Sequence, residues 1–229
     1  MTISLVTGGA GFIGSHIVEQ LIGLGHEVVV VDNEYSDNEN FHWRDDTYNI
    51  NMDITDKALK NAFTNVDYVF HLAAEARIGP AIENPVNAVN INTIGTCNVL
   101  QCARDAGVKK VMYSSTSSGY GLNPSPNDET QPDDCLNPYS VSKVAGEKIC
   151  RMYTDLYGLK TVIFRYFNVF GERAPKKGQY APVIGIFLRQ LSAGEKLTIV
   201  GDGEQRRDFI YVKDVARANI MAAISNADD

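Results

Sequence analysis

Residues 2–25, "TISLVTGGAGFIGSHIVEQLIGLG", constrain the fold more than any other stretch. The β-branched run at 2–7 predicts a buried strand, and apolar residues at helical spacing over 12–25, closing on Gly25, predict a helix. Between them the glycines satisfy two spacings, Gly9-x-Gly11-x-x-Gly14 and Gly8-x-x-Gly11-x-x-Gly14. Such a turn lets an anion approach bare backbone N–H groups, and the helix N-terminus adds partial positive charge. Glycines alone also serve ordinary tight turns, so it is the strand-to-helix context that points to a pyrophosphate. No Gly-Lys-Ser/Thr follows, which disfavours an NTP-cleaving loop.

The rhythm continues along the chain. "EVVVVD" (27–32) predicts a second buried strand, "YNINMD" a third, 55–63 an Asp-led helix and "VDYVFHLA" a further strand. A long helix over about 86–106 follows, then "KKVMYS", the helix "PYSVSKVAGEKICRMYTDLYG" and the strand "KTVIFRYFN". Alternating strands and helices without hairpin signals predict an α/β fold with a doubly wound parallel (Rossmann) sheet. After residue 168 Pro and Gly become frequent, a helix is predicted at "IGIFLRQLSAG", and "GDGEQRRDFIYVKDVARA" reads as turn, strand and helix. The expected organisation is a dinucleotide-binding domain over 1–168 and a small, incomplete substrate lobe over 169–229.

Composition narrows the partners. The 229 residues carry a net charge of -7, with no basic cluster beyond Lys176-Lys177 and Arg206-Arg207, which argues against a nucleic-acid surface. Four cysteines at 97, 102, 135 and 150 show no metal-ligand spacing and are expected to be reduced, with Cys97 and Cys102 in a helical core, and no metal is expected. The first residues lack a signal-peptide pattern and no apolar run approaches the roughly 20 residues that cross a bilayer, so a cytoplasmic, membrane-free protein is expected.

Several residues have a chemical reading beside a plain one. Asp32-Asn33 end the second strand eighteen residues beyond Gly14, where a carboxylate can bond an adenosine ribose and repel a 2′-phosphate, favouring NAD; a surface aspartate is the alternative. Asp53-Ile54 can line the adenine, or Asp53 can form a turn. Tyr139 and Lys143 stand four apart on one helix face, where the ammonium would lower the phenol toward working pH and make Tyr139 a base for an alcohol proton. Tyr and Lys also meet at that spacing by chance in many helices.

Together "TGGAGFIG", "VVDN", "HLAAEA", "NTIGTCNVL", "SSTSSGYG", "PYSVSK", "RYFNVFG" and "GDGEQRRDFIYVKDVA" resemble, in order and over nearly the whole chain, the extended short-chain dehydrogenase/reductases that act on sugar nucleotides. The nearest resemblance is to the UDP-hexose 4-epimerases, including the branch taking UDP-N-acetylhexosamines. It implies NAD as cofactor and a UDP-sugar as substrate. It assigns the pyrophosphate to Gly8, Gly11, Phe12, Ile13 and Gly14, the ribose to Asp32, and the adenine region to Asp53 and Ile54. Leu72, Ala73 and Ala74 would pass beneath the cofactor, and Lys143 would hold the nicotinamide ribose. Tyr166 and Phe167 would meet the nicotinamide, while Asn168 and Arg207 would grip the substrate phosphates. Asn92 matches an asparagine that serves either a bent helix or catalysis. A homodimer through helices 86–106 and 138–157 is also implied, unless positions such as Ile91, Val99 and Leu100 only pack on the sheet.

The hydroxyl run "SSTSSGYG" selects among reactions within that family. Thr116 stands where epimerases carry the Ser or Thr that bonds the sugar 4-hydroxyl. Related dehydratases and the decarboxylase place acids just after it, where this chain has Ser117 and Ser118. The implied catalytic set is therefore Thr116, Tyr139 and Lys143, performing C4 oxidation and reduction through a 4-keto sugar with no net redox change. Another reaction of the same fold, or a non-catalytic NAD-binding short form, is the alternative, because the family continues for on the order of 80 residues beyond this chain's last residue, in a part that closes the sugar pocket.

Overall fold

The computed structural model describes residues 1–36, 41–175 and 183–225; Lys176 and Lys177 lie outside them. Six strands form one parallel sheet: β1 (Ile3–Thr7), β2 (Glu27–Asp32), β3 (Tyr48–Asn51), β4 (Tyr68–His71), β5 (Lys110–Thr116) and β6 (Thr161–Tyr166). Their order is β3-β2-β1-β4-β5-β6, the doubly wound sheet predicted from the strand and helix rhythm. The order reverses between β1 and β4, which opens a crevice at the carboxyl ends of those strands. Register sets Thr7 level with His71 and Thr116 level with Tyr166, so the strand ends bring four polar side chains to one edge.

Side chains alternate across the sheet, and both faces are covered. Leu5, Val31, Val69, Val111 and Tyr113 point to one core, shared with α4 (Thr96–Asp105) and α5 (Pro138–Tyr157). Val6, Val28, Val30, Phe70 and Met112 point to the other, shared with α1 (Phe12–Gly23) and α7 (Val212–Ile224). Helix α7 belongs by sequence to the 169–229 stretch, yet its Ala216, Ile220 and Ala223 sit in the core with Ile17, Val18 and Leu21 of α1. Ordinary propensity cannot reveal this placement, because it depends on a partner more than 190 residues away, as the bond from Gln20 Nε2 to the Lys213 carbonyl illustrates.

Several elements refine the expectation. The strand predicted to end at 114 continues through Thr116, so the hydroxyl run begins inside the sheet, where Ser114, Ser115 and Thr116 are all buried. The predicted helix 86–106 comprises α3 (Pro85–Val89), a π-helical turn (Asn90–Gly95) and α4. The Asp-led helix is a 3-10 segment, Lys57–Phe63, capped by the Asp56 side chain. A short helix, α2 (Ile78–Glu83), has no counterpart in the sequence reading. Beyond the sheet, β7 (Asn168–Phe170) and β8 (Phe209–Tyr211) pair in parallel, α6 (Val183–Ser192) stands between them in the chain, and 193–208 contains no helix or strand. No helix among the described residues is long and apolar enough to cross a membrane.

Candidate active site

A cleft of about 690 Å³ runs along the carboxyl edge of the sheet. Its floor is the glycine turn. Gly8 adopts φ +69°, a conformation that side chains resist, and a Cβ there would lie 2.8 Å from the Ala73 nitrogen. At Gly14 a Cβ would stand 2.1 Å from the Gly8 carbonyl oxygen, so α1 seats directly on the turn. Gly11 caps α1 without a side chain to satisfy the first-turn N–H groups, which leaves donors and the positive helix end for an anion. This cradle, filled by any Cβ, fits a dinucleotide pyrophosphate.

Every sequence-predicted cofactor residue lines this cleft: Gly8, Gly11, Phe12, Ile13, Gly14, Asp32, Asn33, Asp53, Ile54, Leu72, Ala73, Ala74, Tyr139, Lys143, Tyr166 and Phe167. Asp32 is 8% exposed, accepts from Ala10 N at 3.1 Å and Glu34 N at 2.9 Å, and is pushed up from the ordinary carboxylate value, chiefly by burial. Asn33 Nδ2 donates to Asp53 Oδ2 at 2.8 Å, while Asp53 Oδ1 accepts from Thr55 N, so Asp53 both makes the turn and faces the cleft.

The β1–β4 junction is held by a buried chain of hydroxyls. His71 Nδ1 meets Thr7 Oγ1 at 2.7 Å and Nε2 meets Thr96 Oγ1 at 2.9 Å. Thr96 donates to the Asn92 carbonyl and Thr7 accepts from Leu72 and Ala73 N–H, which assigns the proton to His71 Nε2. Burial, with Lys143 adding to it, pulls His71 down to about 3, so the ring is neutral. Asn92 lies in the π turn, donates to the Glu75 carbonyl and Ser142 Oγ, and accepts from Glu75 N at 2.8 Å. It does not line the cleft; of its two readings the geometry favours the bent-helix one.

Asn137, with Ser140, forms a capping box that starts α5, placing Tyr139 in the first turn and Lys143 one turn later. Thr116 accepts from Ser118 N at 3.1 Å and caps the 3-10 turn Ser117–Tyr120. Thr116, Tyr139 and Lys143 all line the cleft. The predicted effect of Lys143 on Tyr139 is not found in the protein alone: burial raises the phenol, a hydrogen bond with Thr116 opposes, and the Glu75 charge adds. The Lys143 ammonium lies 4.4 Å from the centroid of the Tyr113 ring, and burial draws it down to about 8. Desolvation outweighs the expected ion–phenol attraction here.

Asn168 reaches the cleft and donates to the Asp208 carbonyl at 2.9 Å. Arg207 is not brought in; it is exposed, its guanidinium donates to the Arg206 carbonyl, and Arg206 is likewise exposed. Glu75 and Arg77, which residue spacing does not single out, also line the cleft. Glu75 is 2% exposed and grips Arg77, with Oε1 accepting from its N at 3.0 Å and Nε at 3.1 Å and Oε2 from NH2 at 3.2 Å. The sequence marks the place only by an acid just past the end of β4, within "HLAAEA".

Comparison with known proteins agrees with this geometry. The NAD dependent epimerase/dehydratase family matches residues 4–229. A provisionally named UDP-glucose 4-epimerase of Methanocaldococcus jannaschii is 43% identical over 222 residues, covering 95% of this chain and 72% of the relative. A UDP-N-acetyl-alpha-D-glucosaminuronate decarboxylase of Bacillus cytotoxicus is 41% identical over 230 residues, covering 95% and 70%. Among solved structures, the UDP-N-acetylglucosamine 4-epimerase of Methanobrevibacter ruminantium M1, in complex with UDP-N-acetylmuramic acid, superposes with TM-score 0.94 at 38% identity, over 99% of this chain and 74% of that one.

Proposed function

The chain belongs to the NAD dependent epimerase/dehydratase family, and from that membership we propose that it interconverts the C4 epimers of a UDP-hexose or UDP-N-acetylhexosamine through a 4-keto sugar, with NAD as cofactor. The observation that carries this reading is the meeting of Thr116, Tyr139 and Lys143 with the glycine cradle in one cleft.

Bound NAD supplies the hydride acceptor and donor, and a positive ring that favours the phenolate. The Tyr139 phenolate oxygen takes the sugar 4-hydroxyl proton, relayed through Thr116 Oγ1, and returns it to the 4-oxygen after the keto sugar has turned in the cleft. Lys143, as an ammonium, would hold the nicotinamide ribose. Asn168 holds the substrate phosphates, where binding energy remote from C4 keeps the nucleotide fixed while the hexose turns. In this scheme residues 1–168 bind cofactor and perform the chemistry, while 169–229 contribute to holding substrate, with α7 also serving the core.

Elimination of water or carbon dioxide is disfavoured by two features. Ser117 and Ser118 occupy the places where a proton-moving acid would be needed, and both line the cleft. Glu75, a buried acid that lines the cleft, has its carboxylate committed to Arg77.

The same reading includes an isologous homodimer. Ile91, Val99 and Leu100 pack into the core, but Val86, Ile94, Val141 and Leu156 remain 78%, 56%, 50% and 67% exposed on the two helical segments assigned to the interface. A monomeric mass in solution contradicts the dimer. A cytosolic location completes the reading, supported by four cysteines that are all free.

The test incubates the protein and NAD with UDP-glucose, UDP-galactose and their N-acetyl counterparts, following the sugars by NMR. Interconversion of C4 epimers without accumulation of NADH is expected; a 4-keto-6-deoxy product would sink the reading.

A further inference from the structure

Ser115, which lines the cleft, meets one of two side chains that pair behind it. Ser115 precedes Thr116 on β5, Arg165 precedes Tyr166 on β6, and Glu147 lies one helical turn beyond Lys143 on α5. Glu147 is 1% exposed, and its carboxylate accepts from Ser115 Oγ, from Arg165 Nε at 2.9 Å and from Arg165 NH2 at 2.6 Å. Arg165 also donates to Asp133 at 2.6 Å, which pairs with Lys148 at 3.4 Å, and its guanidinium lies 4.8 Å from the centroid of the Tyr120 ring. A carboxylate bound by an arginine fork is directional as well as strong, and a buried one cannot shift without leaving charge unpaired. Ser115 shares the sheet face of Val111 and Tyr113, the face on which α5 packs, so this one carboxylate joins β5, β6 and α5 at the level of the site.

We propose that Glu147 is a positioning residue for the reaction: by clamping Ser115, Arg165 and its own helix together, it fixes Thr116, Tyr166 and Lys143 relative to one another. The inference rests on the epimerase reading above and assigns Glu147 no contact with sugar or cofactor.

A second consequence is electrostatic. Lys143 is faced by His71 from β4, by Tyr113 from β5, and by Tyr139, Glu147 and Cys150 on its own helix. Burial draws the ammonium down to about 8, and electrostatic attraction toward Cys150 and Glu147 opposes that fall. His71 is neutral above about 3 and does not titrate in the working range. Removing the Glu147 charge therefore lowers Lys143 further, and the alkaline limb of the kcat profile moves to lower pH.

The test compares Glu147→Gln with the wild type, using whichever UDP-sugar pair the wild type interconverts. Expected are a kcat lowered about tenfold or more with KM held within about twofold, and an alkaline limb displaced downward by about half a pH unit or more. A merely structural role would lower thermal stability and leave that limb in place. Ser115→Ala, which keeps the ion pair, removes the link to β5 and takes one hydroxyl from the cleft wall, is the second arm should Glu147→Gln not fold; a kcat loss of about threefold at unchanged KM is expected. An inactive wild type overturns the reading and this inference together. An active wild type with kcat within about twofold in the folded variants, or with an unmoved alkaline limb in folded Glu147→Gln, overturns the inference alone.

Discussion

At the sheet edge, Thr7, His71, Asn92, Thr116 and Glu147 are polar and at most 5% exposed, and each is hydrogen-bonded. From residue 197 to the start of β8 the pattern inverts: Leu197, Ile199, Val200 and Phe209 are apolar and 47%, 67%, 76% and 43% exposed. Burying a polar group costs free energy unless its bonds are made, so the first region has one workable arrangement and holds its groups to it. The second has no opposing layer among the described residues, and nothing comparable fixes Arg207. Chemistry should therefore be sensitive to single atoms at the sheet edge and tolerant in the 193–211 segment.

The largest effect should come from the rigid side. Tyr139→Phe removes one oxygen from a buried site and should lower kcat by about 10³-fold or more while NAD binding persists, measured by turnover and by cofactor titration. Full activity in that variant would show that the base lies elsewhere.

The polar core should also respond to acid. His71 has a folded value of about 3 against an ordinary 6.5, so the unfolded chain binds a proton that the folded one refuses. Its contribution is present above pH 6.5 and lost as pH falls toward 3, on the order of 5 kcal/mol over the full window. The melting temperature should fall through that range, and His71→Gln should flatten the dependence; an equally steep fall in the variant would assign the sensitivity to other groups.

The smallest effect should come from the open side. Arg207→Ala, at an exposed residue outside the cleft, should leave kcat unchanged and raise KM by about threefold at most, measured by steady-state turnover. A fall in kcat as large as that of Tyr139→Phe would erase the contrast between the two regions.

The same contrast explains what the sequence discloses. The strand, glycine turn and helix of residues 3–23 are legible because each signal is local, and the cofactor residues follow because they sit at strand ends. Residue spacing alone does not reveal the π turn at Asn90–Gly95, whose pattern looks α-helical until Asn92 bonds Glu75 and Ser142 and Gly95 packs on Ile54. Nor does it place α7 in the core or hold Arg207 away from the cleft, since the one depends on a contact distant in sequence and the other on the absence of one. The expected lowering of Tyr139 by Lys143 fails for a physical reason: helical spacing brings groups to one face but says nothing of burial, which here pushes the phenol up and the ammonium down.

The most direct measurement uses a UDP-hexose carrying deuterium at C4, equilibrated with the protein and NAD in ordinary water. The account predicts the C4 epimer with deuterium retained at C4 and no solvent hydrogen entering C5 or C6. Loss of the label to water, or a product altered at C5 or C6, would contradict it.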